Sequence, residues 1–178
     1  RVVEAYHDVV TLKGDTTRGR KLFAKSCAPC HRLEEVGHVV GPDLAALANK
    51  TPAFFLTELL DPNRNVDSRY LQYLAIGGDG RAYSGLLASE SANSITLKGQ
   101  DGKQFELARG DIEQLQATGK SLMPEGLERD LSRQDLADVI ALLSTSGAAP
   151  KSFAGNRPAV VAIQNQRLAL LATNAAIY

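Results

Sequence analysis

The chain has 178 residues, with 20 basic and 20 acidic side chains and a hydrophobic content of 44%. This is an ordinary globular composition, which excludes a disordered, collagen-like or disulfide-rich chain as the overall class. A net charge of zero argues against a nucleic-acid or anionic-membrane binder, because both need a surplus of Lys and Arg. No uninterrupted apolar stretch reaches the ~18 residues of a membrane span, so no such span is predicted.

Helical periodicity dominates the first sixty residues. Apolar residues recur at helical spacing in 1–12, which predicts an N-terminal helix or arm over residues 1–15. A second helix is expected over 17–28, with Asp15 or Thr16 as its N-cap. Thr51 followed by Pro52 predicts the start of a third helix, because proline at the first helical position gives up only an amide that had no partner.

The period changes between residues 69 and 119, where short apolar runs alternate with turn signals. Glycine-rich and Asp-Gly turns between such runs are typical of antiparallel hairpins. We therefore predict an antiparallel β-meander of four or five strands, curled into a small barrel. The expected strands cover 70–76, 82–88, 94–98, 104–108 and 112–116.

Helix returns over 132–146, where Ser132 and Asp135 form a capping box. The remaining segment, 148–178, contains Pro150 and Pro158 and little charge. We expect it to be an extended tail, or a linker to a following module, that forms no compact domain.

The motif Cys27-Ala28-Pro29-Cys30-His31 outweighs every other chemical signal in the chain. Two thiols three positions apart on a helical turn lie on one side, where each can form a thioether with a vinyl group of one haem. The next residue can then turn its imidazole to the iron, and C-x-x-C-H is the attachment signature of c-type haem. The alternatives are a thioredoxin-like pair, which would need a βαβ context, or half of a zinc site, for which only His7 and His38 remain as further histidines.

Iron held by His31 needs a sixth ligand or an open site. Met123 is the only methionine and lies in a predicted loop just before the last helix. A thioether favours reduced iron and raises its reduction potential, which suits electron transfer. We therefore predict His31 and Met123 as the two iron ligands; the alternative for Met123 is an ordinary core or surface residue.

These motifs together resemble a class I cytochrome c. The residues that carry the resemblance are Gly19-x-x-Leu22-Phe23 before C-x-x-C-H, Gly41-Pro42-Asp43-Leu44 after it, and Met123-Pro124 before the final helix. More narrowly, the chain is similar to the haem-binding cytochrome c domain of secreted or periplasmic planctomycete and verrucomicrobial proteins, where it often accompanies a dehydrogenase β-propeller. The further motifs of that similarity are Leu60-Asp61-Pro62-Asn63, Asp79-Gly80-Arg81 and Ser121 to Leu127.

The resemblance implies a mainly α cytochrome c domain over 16–147, with the β insertion at about 69–118. It implies one covalent haem c, attached through Cys27 and Cys30, with the carbonyl of Pro42 accepting the N–H of the proximal imidazole. Gly19 would let its helix cross the last helix, against the face carrying Ile140 and Leu143. The implied function is periplasmic or secreted one-electron transfer with a redox partner or fused dehydrogenase domain, rather than catalysis.

Several alternatives stay open. A haem sensor or peroxidase-like domain would leave the distal face of the iron free. The insertion, which separates His31 from Met123 by 92 positions, could cover the haem or provide a docking surface. A basic cluster on the attachment helix could face an acidic electron partner or simply be solvated; its members are Arg18, Arg20, Lys21, Lys25 and Arg32.

Overall fold

A computed structural model describes residues 2–146 of the chain. The helices are α1 (Val2–Ala5), α2 (Thr16–Ser26), α3 (Pro52–Leu60) and α4 (Arg133–Thr145), with short 3₁₀ turns between them. The strands are β1 (Arg32–Leu33), β2 (Val36–Gly37), β3 (Leu71–Gly77), β4 (Ala82–Glu90), β5 (Ser94–Lys98), β6 (Gln104–Ala108) and β7 (Ile112–Ser121). The predicted tail, 148–178, lies outside the described residues. None of the helices described is both long and apolar enough to cross a membrane.

The prediction of a mainly α fold is correct only in part. Helix takes 40% and strand 28% of the described residues, and five of the strands form one sheet. The helices share one hydrophobic core, whose largest fully buried side chains include Phe23, Leu136 and Leu142. The sheet has a second, smaller core built around Ala75, Ile95 and Leu97. Two cores form because the inserted strands bury their own apolar faces.

The five-stranded sheet is antiparallel throughout and runs in the order β6-β5-β4-β3-β7. Strands β3 to β6 form the predicted meander, but β7 returns to pair with β3 at the opposite edge. Four residue steps join β6 to β7 and reach at most ~14 Å, whereas the edges of a flat five-stranded sheet lie about 19 Å apart. The sheet must therefore curl, although its edge strands are not paired into a closed barrel.

The last strand extends further than the sequence indicates. It continues beyond the predicted end at Gln116 to Ser121, which pairs with Leu71. A register shift absorbs two extra residues on β7, and Gly119 within it has φ +73°. Glycine adopts this left-handed conformation without strain, so a residue that reads as a strand terminator instead marks a bulge. As a result, β7 ends two residues before Met123.

Helices α2 and α4 approach so closely that their backbones touch. An added Cβ at Gly19 would lie 2.2 Å from the carbonyl oxygen of Asp138 and 3.1 Å from Cβ of Leu142. The predicted crossing at Gly19 is therefore present, but it falls at Asp138 and Leu142 rather than at Ile140 and Leu143. Gly14 makes a similar approach to the carbonyl oxygen of Ala137.

The buried carboxylate of Asp138 fastens the same crossing. Arg18 donates to it from Nε at 2.6 Å, the backbone N–H of Asp15 donates at 2.7 Å, and Gln134 donates at 2.9 Å. The hydrogen bond from Arg18, with those from Asp15 and Gln134, lowers the pKa of Asp138 to about 2 against the opposing effect of burial. This carboxylate is fully paired, as a buried charge must be.

We expect Gly19→Ala to destabilise the protein by about 2 kcal/mol. Overpacking costs up to ~3 kcal/mol, and the better helix propensity of alanine returns ~1 kcal/mol. The control is Gly110→Ala, where an added Cβ meets nothing within 4 Å. Urea unfolding measures both variants; equal midpoints would contradict the close crossing.

Asp138→Asn tests the buried ion pair through pH. Because the folded-state pKa is depressed, the stability from ionised Asp138 is present above pH ~4 and is lost as pH falls toward about 2. We expect the variant to be less stable than the wild type by about 2 kcal/mol at neutral pH, with the difference closing over that interval. Urea unfolding at a series of pH values measures this, with exposed Asp111→Asn as control. A difference that stays constant down to pH 2 would refute it.

Candidate haem site

The Cys27–His31 segment forms one helical turn directly after α2. The carbonyl of Cys27 accepts the N–H of Cys30 at 3.0 Å and the N–H of His31 at 2.8 Å. Phe23, buried in α2, anchors the turn from below because its carbonyl accepts the N–H of Cys27 at 2.8 Å. The turn therefore carries the two thiols and the imidazole within five residues.

Both cysteines are free thiols, and their environment keeps them protonated. Burial, with the neighbouring Cys30, raises the pKa of Cys27 to about 11. Burial, with the charge of Asp101, also raises the pKa of Cys30. Cys27 lies at the C-terminal end of α2, where the helix dipole disfavours a thiolate. A thioredoxin-like pair needs the opposite, a lowered pKa at a helix N-terminus.

The imidazole of His31 has a fixed tautomer. Its Nδ1 lies 2.9 Å from the carbonyl oxygen of Pro42, and because a carbonyl can only accept, Nδ1 carries the proton and donates it. Burial lowers the pKa of His31 against this hydrogen bond, so the ring is neutral at neutral pH. The lone pair of Nε2 is therefore available to a metal ion.

Gly41 holds the ring from its side. An added Cβ at Gly41 would lie 2.5 Å from Cε1 and 2.9 Å from Nδ1 of His31. The N–H groups of Val40 and Gly41 both donate to the carbonyl of Cys30, which keeps this backbone against the ring. Any other residue at position 41 would displace the imidazole.

An ion pair that the sequence did not indicate closes the same loop. Arg32 follows His31 and donates from Nη2 to the carboxylate of Asp43, which follows Pro42, at 2.6 Å. The pair therefore brackets the hydrogen bond between His31 and Pro42. The sequence places Arg32 in a basic cluster and Asp43 in a family motif, and neither pattern indicates that the two residues pair.

The basic cluster on α2 is largely neutralised. Arg18 pairs with Asp138, Arg20 with Glu34, and Arg32 with Asp43. Three of its five predicted members thus have acidic partners within the chain. This favours a solvated helix face over a strongly positive docking surface.

Met123 lies in a loop between β7 and α4, partly buried against the helical core that Cys27 also contacts. Its backbone N–H donates to Oγ of Ser121 at 3.1 Å, and the N–H of Ser121 donates to Oδ1 of Asn63 at 2.8 Å. The structure thus brings Met123 to the same core as the attachment turn. Asn63 had been noted in the sequence only as part of a motif.

The inserted sheet contacts the attachment loop through its β5–β6 turn. The N–H of Asp101 donates to the carbonyl of Pro29 at 2.8 Å, and Nζ of Lys98 donates to the carbonyl of Val39. These bonds reach both sides of the loop that carries His31. The sheet is therefore attached to the motif as well as to the Met123 loop.

The zinc alternative finds no ligands in this geometry. His7 and His38 are exposed, and His7 bonds through Nδ1 to the carbonyl of Glu4. Within residues 2–146, no three His, Cys, Asp or Glu side chains are grouped so as to hold a metal ion. The donor set instead consists of two neutral thiols and one oriented imidazole, which is the set that attaches and ligates a haem.

Residues 16–72 match the family described as Cytochrome c. The match covers α2, the attachment turn, the Pro42 loop and α3, and it ends where β3 begins. This match supports a cytochrome c haem-binding domain in this part of the chain, and covalent haem c is the cofactor of that family. The match covers less than half of the chain, and most of the five-stranded sheet and Met123 lie outside it.

We expect Gly41→Ala to weaken ligation by His31, because a Cβ at 2.5 Å from the ring must move it away from Pro42. Misplacing a group that orients a ligand typically costs 10–100-fold in metal affinity. Resonance Raman and EPR spectra of the haem protein measure the change in the histidine–iron bond. Gly78→Ala, whose Cβ would have no neighbour closer than 3.9 Å, is the control. Spectra identical to that control would show that the contact does not orient the ring.

Proposed function

We propose that this chain is a monohaem c-type cytochrome domain that carries single electrons. In this proposal, Cys27 and Cys30 form the two thioethers, His31 is the proximal ligand and Met123 the distal one. The observation that carries it is the oriented imidazole: Pro42 holds Nδ1 at 2.9 Å, one residue beyond two free thiols at haem-attachment spacing.

The bound haem supplies a one-electron couple between ferrous and ferric iron. The chain's own residues are arranged to bind the iron. His31 is neutral and fixed by Pro42 and Gly41, so it needs no proton loss or rotation before it binds. Met123, a soft thioether, favours the reduced iron and raises the potential. With both His31 and Met123 bound to the iron, no ligand position would be open to a substrate, so the proposed role is a carrier rather than an enzyme.

We further propose that the domain works in the periplasm or outside the cell. Cytochrome c domains are typically exported, and bacterial haem attachment takes place on the periplasmic side. The donor would be a dehydrogenase, either a partner protein or a domain fused to this one. The balanced net charge and the paired basic cluster support neither nucleic acid nor anionic membrane as the partner.

The first test is covalent attachment. The full chain, exported in a bacterium that matures c-type cytochromes, is expected to retain one haem per chain after denaturation, measured as the pyridine haemochrome. Cys27→Ala and Cys30→Ala should each reduce the amount of haem retained after denaturation, and the double variant should retain none. A colourless mature protein would refute the proposal.

The second test separates a carrier from a haem sensor or peroxidase-like domain. Met123→Ala is expected to bind carbon monoxide rapidly and completely in the reduced state, and to lower the reduction potential by on the order of 100 mV. Leu122→Ala, which removes an apolar neighbour without sulfur, should keep the wild-type behaviour. Wild-type binding as fast and complete as that of Met123→Ala would favour the open-site alternative.

A further inference from the structure

We propose that Asn63 is the positioning residue for the distal ligand: its side chain fixes the backbone at Ser121, which in turn holds the backbone of Met123. This inference rests on the proposed ligation of iron by Met123. Asn63 would act through the loop and would not touch the iron itself.

The connection between Asn63 and Met123 runs through Ser121. The Oδ1 atom of Asn63 accepts the N–H of Ser121 at 2.8 Å across 58 positions of sequence. The hydroxyl of Ser121 then accepts the N–H of Met123 at 3.1 Å. The backbone at Met123 is therefore two hydrogen bonds away from the Asn63 amide.

Asn63 is itself fixed by the helical core. Helix α3 ends at Leu60 with four buried side chains, and the turn after it closes as the N–H of Arg64 donates to the carbonyl of Asp61 at 3.1 Å. Pro62, next to Asn63, is buried. The amide therefore projects from a rigid helix end, whereas the loop otherwise continues from the bulged end of β7. Asn63 thus connects the backbone of Met123 to the helical core, against which the attachment turn also packs.

The test compares Asn63→Ala with Asn65→Ala, an exposed asparagine two positions away. Ferric Asn63→Ala is expected to lose part of the near-infrared charge-transfer band of methionine-ligated haem. Its affinity for added imidazole, which competes with Met123, should rise about tenfold over the wild type. Asn65→Ala should match the wild type in both measurements. Identical results for the two variants would overturn the proposal.

A conservative variant tests whether the bond to Ser121, rather than local folding, is responsible. Asn63→Asp keeps an oxygen that can accept the N–H of Ser121. It should therefore keep the band and the low imidazole affinity that Asn63→Ala loses. An aspartate variant as impaired as Asn63→Ala would count against the role of Asn63.

The wild type separates this proposal from the one on which it rests. If it lacks the methionine band and Met123→Ala leaves its spectrum unchanged, distal ligation by Met123 is wrong and the positioning role falls with it. If the wild type has the band and Asn63→Ala retains it fully, only the positioning role is wrong.

Discussion

The structure depends on the close crossing of α2 and α4. Gly19 in α2, and Gly14 just before it, let the backbone touch α4, and the fully paired carboxylate of Asp138 fixes the register of the two helices. Because α2 ends at Ser26, this crossing also sets the position of the Cys27 turn that follows directly. The position of a cofactor attached at that turn would thus be set by this helix crossing.

The second level of organisation surrounds the imidazole of His31. One hydrogen bond sets its tautomer, the backbone at Gly41 limits its tilt, and an ion pair closes the loop outside it. The exposed pair of Arg32 and Asp43 contributes little stability by itself, as is usual for surface ion pairs. Its place on both sides of the hydrogen bond between His31 and Pro42 matters more than its energy. The ligand is oriented by backbone geometry before any metal binds.

The sequence predicted those features that depend on neighbouring residues. The capping box of Ser132 and Asp135 is present, the Thr51-Pro52 start of α3 is present, and all five predicted strands of the large sheet form. The helical turn expected at the C-x-x-C-H motif is also present, because its hydrogen bonds join residues close in sequence. The weight of the sheet in the fold was underestimated, since helical periodicity at both ends suggested a mainly α protein.

The features that sequence analysis missed are contacts over long distances. Nothing local tells that β7 pairs with β3 instead of continuing the meander, or that Gly119 bends a strand instead of ending it. The partners Arg32 and Asp43, and Asn63 and Ser121, become neighbours only after the chain folds. Their polar side chains are ordinary for surface loops, so composition gave no signal.

The chain enters and leaves the five-stranded sheet at neighbouring positions. Leu71 pairs with Ser121, and the N–H of Leu122 donates to the carbonyl of Tyr70 at 3.4 Å. The intervening fifty or so residues therefore leave and rejoin the helical domain through adjacent positions, and the entropy of closing such a loop grows only slowly with its length. Evolution could lengthen, shorten or replace this cassette while the chain on either side kept its course.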